Sequence, residues 1–271
     1  MSGQPIADYV SADGGRLRYE TGGRGEALVF VHGFGLDRSL WDPQWAAFSA
    51  RYRAIRYDLR GYGESTLPAG PYTHVGDLGA LLGALAAQPA HLVGLSMGGS
   101  VALGLALESP AMVRSLTLVD TILDGYRMSE AWSQRWRAVV AAARGGDVAA
   151  AKRLWREHEL FASARARAEV GAPLEAMLAR YSGWHWSQKD PVGAPARPAI
   201  ERLAGVAVPT LIVVGERDLP DFQGIARRLA SDIPQATLAV IAQAGHVPNL
   251  EAPQAFNEVL LAHLAAHGAA R

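Results

Sequence analysis

The chain has 271 residues, 49% of them apolar and 19% charged, enough for a sizeable buried core and unlike the composition of a disordered chain. Its 26 basic and 26 acidic residues cancel, so no bulk field is present to hold a nucleic-acid backbone or an anionic membrane surface. It lacks cysteine, which excludes disulfides, thiol nucleophiles and cysteine metal sites, and it has no run of about 20 apolar residues to cross a bilayer. The opening Met1-Ser2-Gly3-Gln4-Pro5 has no basic stretch feeding an apolar one, which sets the expectation of a cytoplasmic protein.

Tyr9 to Ser11 and Arg16 to Tyr19 flank Asp13-Gly14-Gly15 and predict an antiparallel hairpin, because Asp and Gly tolerate the positive φ of tight turns. Leu28 to His32 follows as a short β-branched and aromatic run, then a helical pattern around Leu40, Trp41, Trp45 and Phe48. Arg53 to Tyr57 reads as a strand meeting the loop Asp58 to Ser65, and a helix is predicted from about Val75 to Ala87. Strand His91 to Leu95, a helix over Val101 to Leu107 that stops before Pro110, and strand Ser115 to Val119 continue the alternation. The order resumes with strand Thr210 to Val214, a helix near Ile225 to Leu229, a strand near Thr237 to Ile241, and a last helix from Ala255 to Leu264. Strands separated by helices require crossover connections, so the pattern predicts an α/β fold, a parallel sheet with helices on both faces.

Between about Thr121 and Pro198 the β signal gives way to Ala, Arg, Glu and Trp at helical spacings. Residues 121–198 are therefore expected to form a helical cap inserted into a core of residues 1–120 and 199–271, since the sheet needs the strands on both sides. An insertion rising from the carboxyl end of a strand is placed to roof a ligand site.

The predicted strand His91 to Leu95 runs into Gly94-Leu95-Ser96-Met97-Gly98-Gly99 and then a helix, the context in which a G-x-S-x-G bend presents a serine. A sharp strand-to-helix turn brings backbone so close that side chains at Gly94 and Gly98 would clash. Ser96 is left exposed beside a helix amino terminus that favours a developing anion. An alkyl hydroxyl is a weak nucleophile and needs an adjacent base. His246, in the loop after the last predicted strand, meets that need at the same sheet edge. His32 precedes Gly33 and is expected to hold its loop by hydrogen bonding.

A carboxylate must fix the tautomer of such a histidine. Asp218, just past strand Thr210 to Val214, is the first candidate. Asp120, at the end of strand Ser115 to Val119, is the rival, and Asp221 is read as a helix cap. Backbone N–H groups of Met97 and of Phe34, in the loop His32-Gly33-Phe34-Gly35, are the candidate oxyanion donors.

These segments, with Asp58-Leu59-Arg60-Gly61-Tyr62-Gly63-Glu64-Ser65, Gly215-Glu216-Arg217-Asp218 and Gly245-His246 through Glu251, resemble the capped serine hydrolases of the α/β-hydrolase superfamily. That group contains 3-oxoadipate enol-lactonases, small esterases, cofactor-free haloperoxidases and carbon–carbon bond hydrolases. The resemblance implies a mostly parallel eight-stranded sheet, hydrolysis of a small, largely apolar ester or lactone through an acyl-enzyme, no cofactor, and a monomer or homodimer. Ser96 argues against the dehalogenases and epoxide hydrolases of this fold, which place Asp there. Val247 departs from the tryptophan that follows the histidine in carbon–carbon hydrolases. Haloperoxidase, perhydrolase or carbon–carbon bond hydrolase chemistry on the same triad, and a ligand-binding signalling role with a slow triad, stay open as alternatives.

Five of the seven tryptophans, Trp132, Trp136, Trp155, Trp184 and Trp186, fall in the expected cap, and Trp132 and Trp184 are the candidate substrate contacts. Arg135 and Arg180 are the cations there considered for a substrate carboxylate.

Overall fold

Asp13 and Gly14, the latter at φ 73°, make the two-residue turn of a hairpin in which β1 (Ile6–Ala12) pairs with β2 (Gly15–Gly22). This is a computed structural model, and it describes residues 5–268; Met1 to Gln4, on which the reading of the chain's start rests, lie outside them. Six further strands follow: β3 (Ala27–Val31), β4 (Arg53–Tyr57), β5 (Ala90–Leu95), β6 (Val113–Val119), β7 (Thr210–Gly215) and β8 (Ala236–Ile241). They join one eight-stranded sheet in the order β1-β2-β4-β3-β5-β6-β7-β8. Pairings from β3 and β4 through β8 are parallel, while β1 with β2 and β2 with β4 are antiparallel.

Burial explains the strand sequences. Every residue of β3, β5 and β7 is buried, as central parallel strands covered on both faces require, so these strands read as nearly continuous apolar runs, with His91 and Thr210 as their polar residues. Edge strand β8 instead leaves Leu238 and Val240 exposed. Helices α1 (Asp42–Ser49), α2 (His74–Ala84) and α3 (Met97–Glu108) follow β3, β4 and β5 in the chain. The second helix stops three residues earlier than the expected Ala87, because Ala86 takes a left-handed conformation at φ 47°.

Between β6 and β7 lie α4 (Glu130–Arg144), α5 (Val148–Arg156), α6 (Ala162–Arg165), α7 (Ala168–Arg180) and α8 (Trp184–Ser187). This helical insertion contains no strand among its residues, consistent with the vanished β signal. Its entry is tied to the core by Asp221, which accepts from the Ser129 amide and hydroxyl at 2.7 Å each. Asp221 thus lies inside the first turn of α9 (Pro220–Asp232), not at its cap, and its carboxylate braces the start of α4. The chain closes with α10 (Pro248–Glu251) and α11 (Pro253–His267), the latter packed on α1.

Candidate active site

Strand β5 ends at Leu95 and α3 begins at Met97, leaving Ser96 alone in the bend at φ 53° and ψ −114°. Such a conformation costs a non-glycine residue on the order of 1–3 kcal/mol, so the surroundings must hold it. They do so through the backbone. The Ser96 N–H donates to the Val119 carbonyl at 2.8 Å, and its own carbonyl accepts from Gly99 and Ser100. A Cβ on Gly94 would lie 2.3 Å from the Gly98 carbonyl oxygen, and one on Gly98 2.3 Å from that of Val31. Both positions therefore require glycine.

His246 sits in the loop between β8 and α10, buried, with Nδ1 2.8 Å from Asp218 Oδ2. The other Asp218 oxygen accepts the Leu219 N–H at 2.7 Å. A carboxylate partner places the imidazole proton on Nδ1 and leaves Nε2 as the basic nitrogen. Glu251 holds this loop: its carboxylate accepts the amides of Gly245 at 3.0 Å and Val247 at 3.3 Å, and the Ser163 hydroxyl at 2.5 Å. Arg167 donates to the Glu251 and Gln243 carbonyls. Ser163 and Arg167 belong to the insertion, so the histidine loop is clamped from both sides. Sequence reasoning had Glu251 only as part of a motif; its spacing of five residues from His246 was the available signal.

Asp120 directly follows β6 with a left-handed backbone, φ 39°, and its Oδ1 accepts the Gly215 N–H at 3.0 Å. It is Asp218, not Asp120, that hydrogen-bonds to His246. Burial, reinforced by the charge of Asp218, pushes the Asp120 carboxyl well above the usual range. Ligand atoms of Asp120, Asp218 and His246 all lie within 4.8 Å of one another, the group among the described residues with spacing suited to a metal ion. Because His246 Nδ1 is already committed to Asp218, the arrangement matches a hydrogen-bonded acid–base set.

Ser96 and His246 line one cavity of about 250 Å³. Its floor is Gly33, Phe34, Leu36, Leu95, Met97 and Ile122, and its roof is Trp132, Trp136, Trp155, Leu160 and Phe161 from the insertion. No Lys, Arg, Asp or Glu side chain is among these lining residues. Trp132 is at the cavity, where expected. Trp184 is not: its ring packs against His185, with centroids 5.0 Å apart, and it does not line this space. A helix of four residues leaves Trp184 and Trp186 on different sides, and Trp186 takes the inward one. Trp136 and Trp155, two of the other cap tryptophans, line the cavity as well, and so do Leu160 and Phe161, which carried no signal in the sequence; for Trp136 the signal was its one-turn spacing from Trp132. Arg135 pairs with Glu159, and Arg180 with Asp37, so both cations lie away from the cavity.

Phe34 binds floor to roof, its ring centroid lying 5.1 Å from that of Trp136 and 5.7 Å from that of Trp155. Among the described residues, neither the Phe34 nor the Met97 amide donates a hydrogen bond within the protein, which leaves both N–H groups available beside Ser96. The loop carrying Phe34 is set by His32. Its Nε2 accepts the Leu59 N–H at 3.0 Å, so Nδ1 holds the proton and donates to the Gly33 carbonyl at 2.8 Å. Desolvation holds the His32 pKa below its ordinary value, which keeps that tautomer neutral. Asp58 accepts from the Arg38 and Glu64 amides and pairs with the Arg38 guanidinium, while Arg60 pairs with Asp77; both serve the loop, not the cavity.

An antiparallel pair leading into parallel strands joined by helical crossovers, with a strained serine between strand and helix, defines an α/β-hydrolase. Residues 28–259 match the model of the alpha/beta hydrolase family, and the chain belongs to that family. The 3-oxoadipate enol-lactonase 2 of Acinetobacter baylyi is 30% identical over 93% of this chain and 94% of its own length. The pimeloyl-[acyl-carrier protein] methyl ester esterase of Chromobacterium violaceum is 32% identical over 92% and 98%. Among solved structures, a thermophilic esterase from Thermogutta terrifontis superposes with a TM-score of 0.81 at 28% identity, covering 98% of this chain and 100% of that one. No helix of the described residues is long and apolar enough to cross a membrane.

Proposed function

We propose that the chain hydrolyses carboxylic esters or lactones of small, largely apolar compounds through an acyl-enzyme on Ser96. The relatives named as an enol-lactonase and a methyl ester esterase support the ester or lactone bond. The observation that carries the reading is the 2.8 Å contact of His246 Nδ1 with Asp218, at the edge of a cavity that Ser96 also lines.

In this mechanism His246 Nε2 takes the Ser96 proton as Oγ attacks the acyl carbonyl, and Asp218 steadies the imidazolium that forms. The Phe34 and Met97 amides stabilise the oxyanion. The imidazolium then protonates the leaving alkoxide, which departs as alcohol, or stays tethered if the substrate was a lactone. Water, deprotonated by the same histidine, attacks the acyl-enzyme carbonyl, and the imidazolium returns its proton to Ser96 Oγ as the acid is released.

The cavity supports the substrate class. About 250 Å³ holds a small acyl group, and an apolar wall without charged side chains favours a neutral one. Residues 121–198 act as the cap in this reading, supplying the aromatic roof. The test is hydrolysis of p-nitrophenyl acetate and a panel of neutral esters and lactones by the wild-type and Ser96→Ala proteins. Ser96→Ala is expected to lower kcat by about 10⁴-fold or more. Retention of the wild-type rate overturns the proposal.

A further inference from the structure

Two buried carboxyl groups meet behind His246, and the mechanism uses one. Asp218 has the donors an ionised carboxylate needs, the Leu219 N–H on one oxygen and the His246 Nδ1–H on the other. Asp120 has the Gly215 N–H on Oδ1, whereas its Oδ2 is fully buried without a donor. An ionised Asp120 would leave a charged oxygen unsolvated beside a second anion, an arrangement that proteins avoid by keeping one proton between the two groups.

The charges around Asp120 do not offer relief. Those acting on it are Asp218 and Glu251, both acidic, and nearby His246. Two cations of the histidine-loop region are engaged elsewhere, Arg217 with the Gln243 side chain and Arg167 with the Gln243 and Glu251 carbonyls. The backbone is strained to put the group there: Asp120, the residue after β6, has φ 39°, and its carboxyl meets the N–H of Gly215 at the end of β7.

We propose that Asp120 is a neutral carboxylic acid whose Oδ2–H is donated to Asp218, forming an acid–carboxylate pair that sets the basicity of His246. This rests on the proposed role of Asp218 as the partner of the catalytic histidine. Asp120 is then a positioning residue: it touches no substrate and acts through Asp218. The donated proton draws charge from the Asp218 carboxylate and so weakens its hold on the imidazolium that forms during the reaction. Burial first, and the neighbouring Asp218 second, hold the Asp120 proton in place.

The experiment compares kcat/KM against pH, with p-nitrophenyl acetate, for the wild type, Asp120→Asn, Asp120→Leu and Asp218→Asn. The Asn side chain keeps an N–H for Asp218 and an oxygen for the Gly215 amide. Asp120→Asn is therefore expected to keep kcat/KM within about threefold and its acid limb in place, because a neutral donor replaces a neutral donor. Asp120→Leu removes the donor, and its acid limb should rise by roughly half a pH unit as Asp218 regains full charge. If Asp120 were ionised, Asp120→Asn would remove a negative charge and its acid limb would fall by about one unit, which overturns the proposal.

The infrared difference spectrum between wild type and Asp120→Asn at neutral pH gives a second readout. A protonated-carboxyl C=O band present only in the wild type supports the pair, and its absence overturns it. Asp218→Asn separates the two readings: a wild-type rate there refutes Asp218 as the partner of His246. The infrared band still decides the protonation of Asp120.

Discussion

The two halves of the candidate site are held by different physics. At the sheet edge, Ser96 and the loops of Phe34 and His246 are fixed by backbone contacts: glycines with no room for a Cβ, carbonyls meeting amides, and carboxylates on loop N–H groups. In the insertion, the roof is fixed by rings on rings, with Trp136 and Trp155 at 5.6 Å and Trp132 and Trp155 at 6.3 Å. Backbone contacts tolerate almost no change, whereas aromatic packing is costly to remove but adaptable in shape. The edge is thus suited to keeping one chemistry and the roof to varying the substrate.

The comparison is broken most severely at Gly98. A methyl group there would press within 2.3 Å of the Val31 carbonyl and 2.5 Å of the His32 carbonyl. Both atoms are backbone, at the origin of the loop that carries Phe34. Gly98→Ala is expected to cost about 3 kcal/mol of stability, measured by urea unfolding, and to lower kcat by more than tenfold in the protein that remains folded. A fully active, wild-type-stable Gly98→Ala would show that the edge is as forgiving as the roof.

A smaller effect is expected from the roof. Trp136→Ala opens the cavity beside Phe34, so the ratio of kcat/KM for hexanoate over acetate p-nitrophenyl esters should rise about tenfold. Trp184→Ala is the control, since its ring lies off the cavity, and it should leave that ratio within about twofold of wild type. Equal shifts in the two variants would mean that the roof acts through general loosening of the insertion and not through the shape of the cavity.

The same division decides what was legible from the amino-acid sequence. The hairpin, the strand and helix alternation and the helical insertion follow from local periodicity, and the elbow from glycines whose necessity is steric. Asp218 and Asp120 both follow strands at one edge, and only their reach in three dimensions separates them: one meets Nδ1 at 2.8 Å and the other meets Gly215. Ring direction in the insertion depends on how each helix is rotated against the core, which spacing alone does not set. Trp132 and Trp136, one turn apart on the 15-residue α4, keep a common face, while Trp184 on the four-residue α8 has no periodicity to read. Ser163 and Arg167 reach the histidine loop from a distant part of the chain, and no local pattern announces such a clamp.

The smallest expected effect probes where roof and edge touch. His158 is buried beneath Trp132 and Trp155, ring centroids 5.1 Å and 5.4 Å away, and its Nδ1 accepts the Leu160 N–H at 3.0 Å. Desolvation, with smaller contributions from Arg135, His246 and Arg165, pulls its pKa down from 6.5 to about 4. The folded state therefore holds His158 neutral where the unfolded chain binds a proton. Its stabilising contribution is fully present above about pH 6.5 and is lost as the pH falls toward 4. His158→Asn keeps an oxygen for the Leu160 amide and removes the titration. Between pH 7 and pH 5 the variant should lose about 1 kcal/mol less stability than the wild type, measured from urea midpoints. His74, His91, His185 and His263 carry the same sign, each drawn down to between about 3 and about 4 by desolvation, so acid sensitivity should shrink without vanishing. Parallel losses in the two proteins would show that the pocket beneath the roof admits the charged imidazolium, and that its packing is far looser than the ring distances indicate.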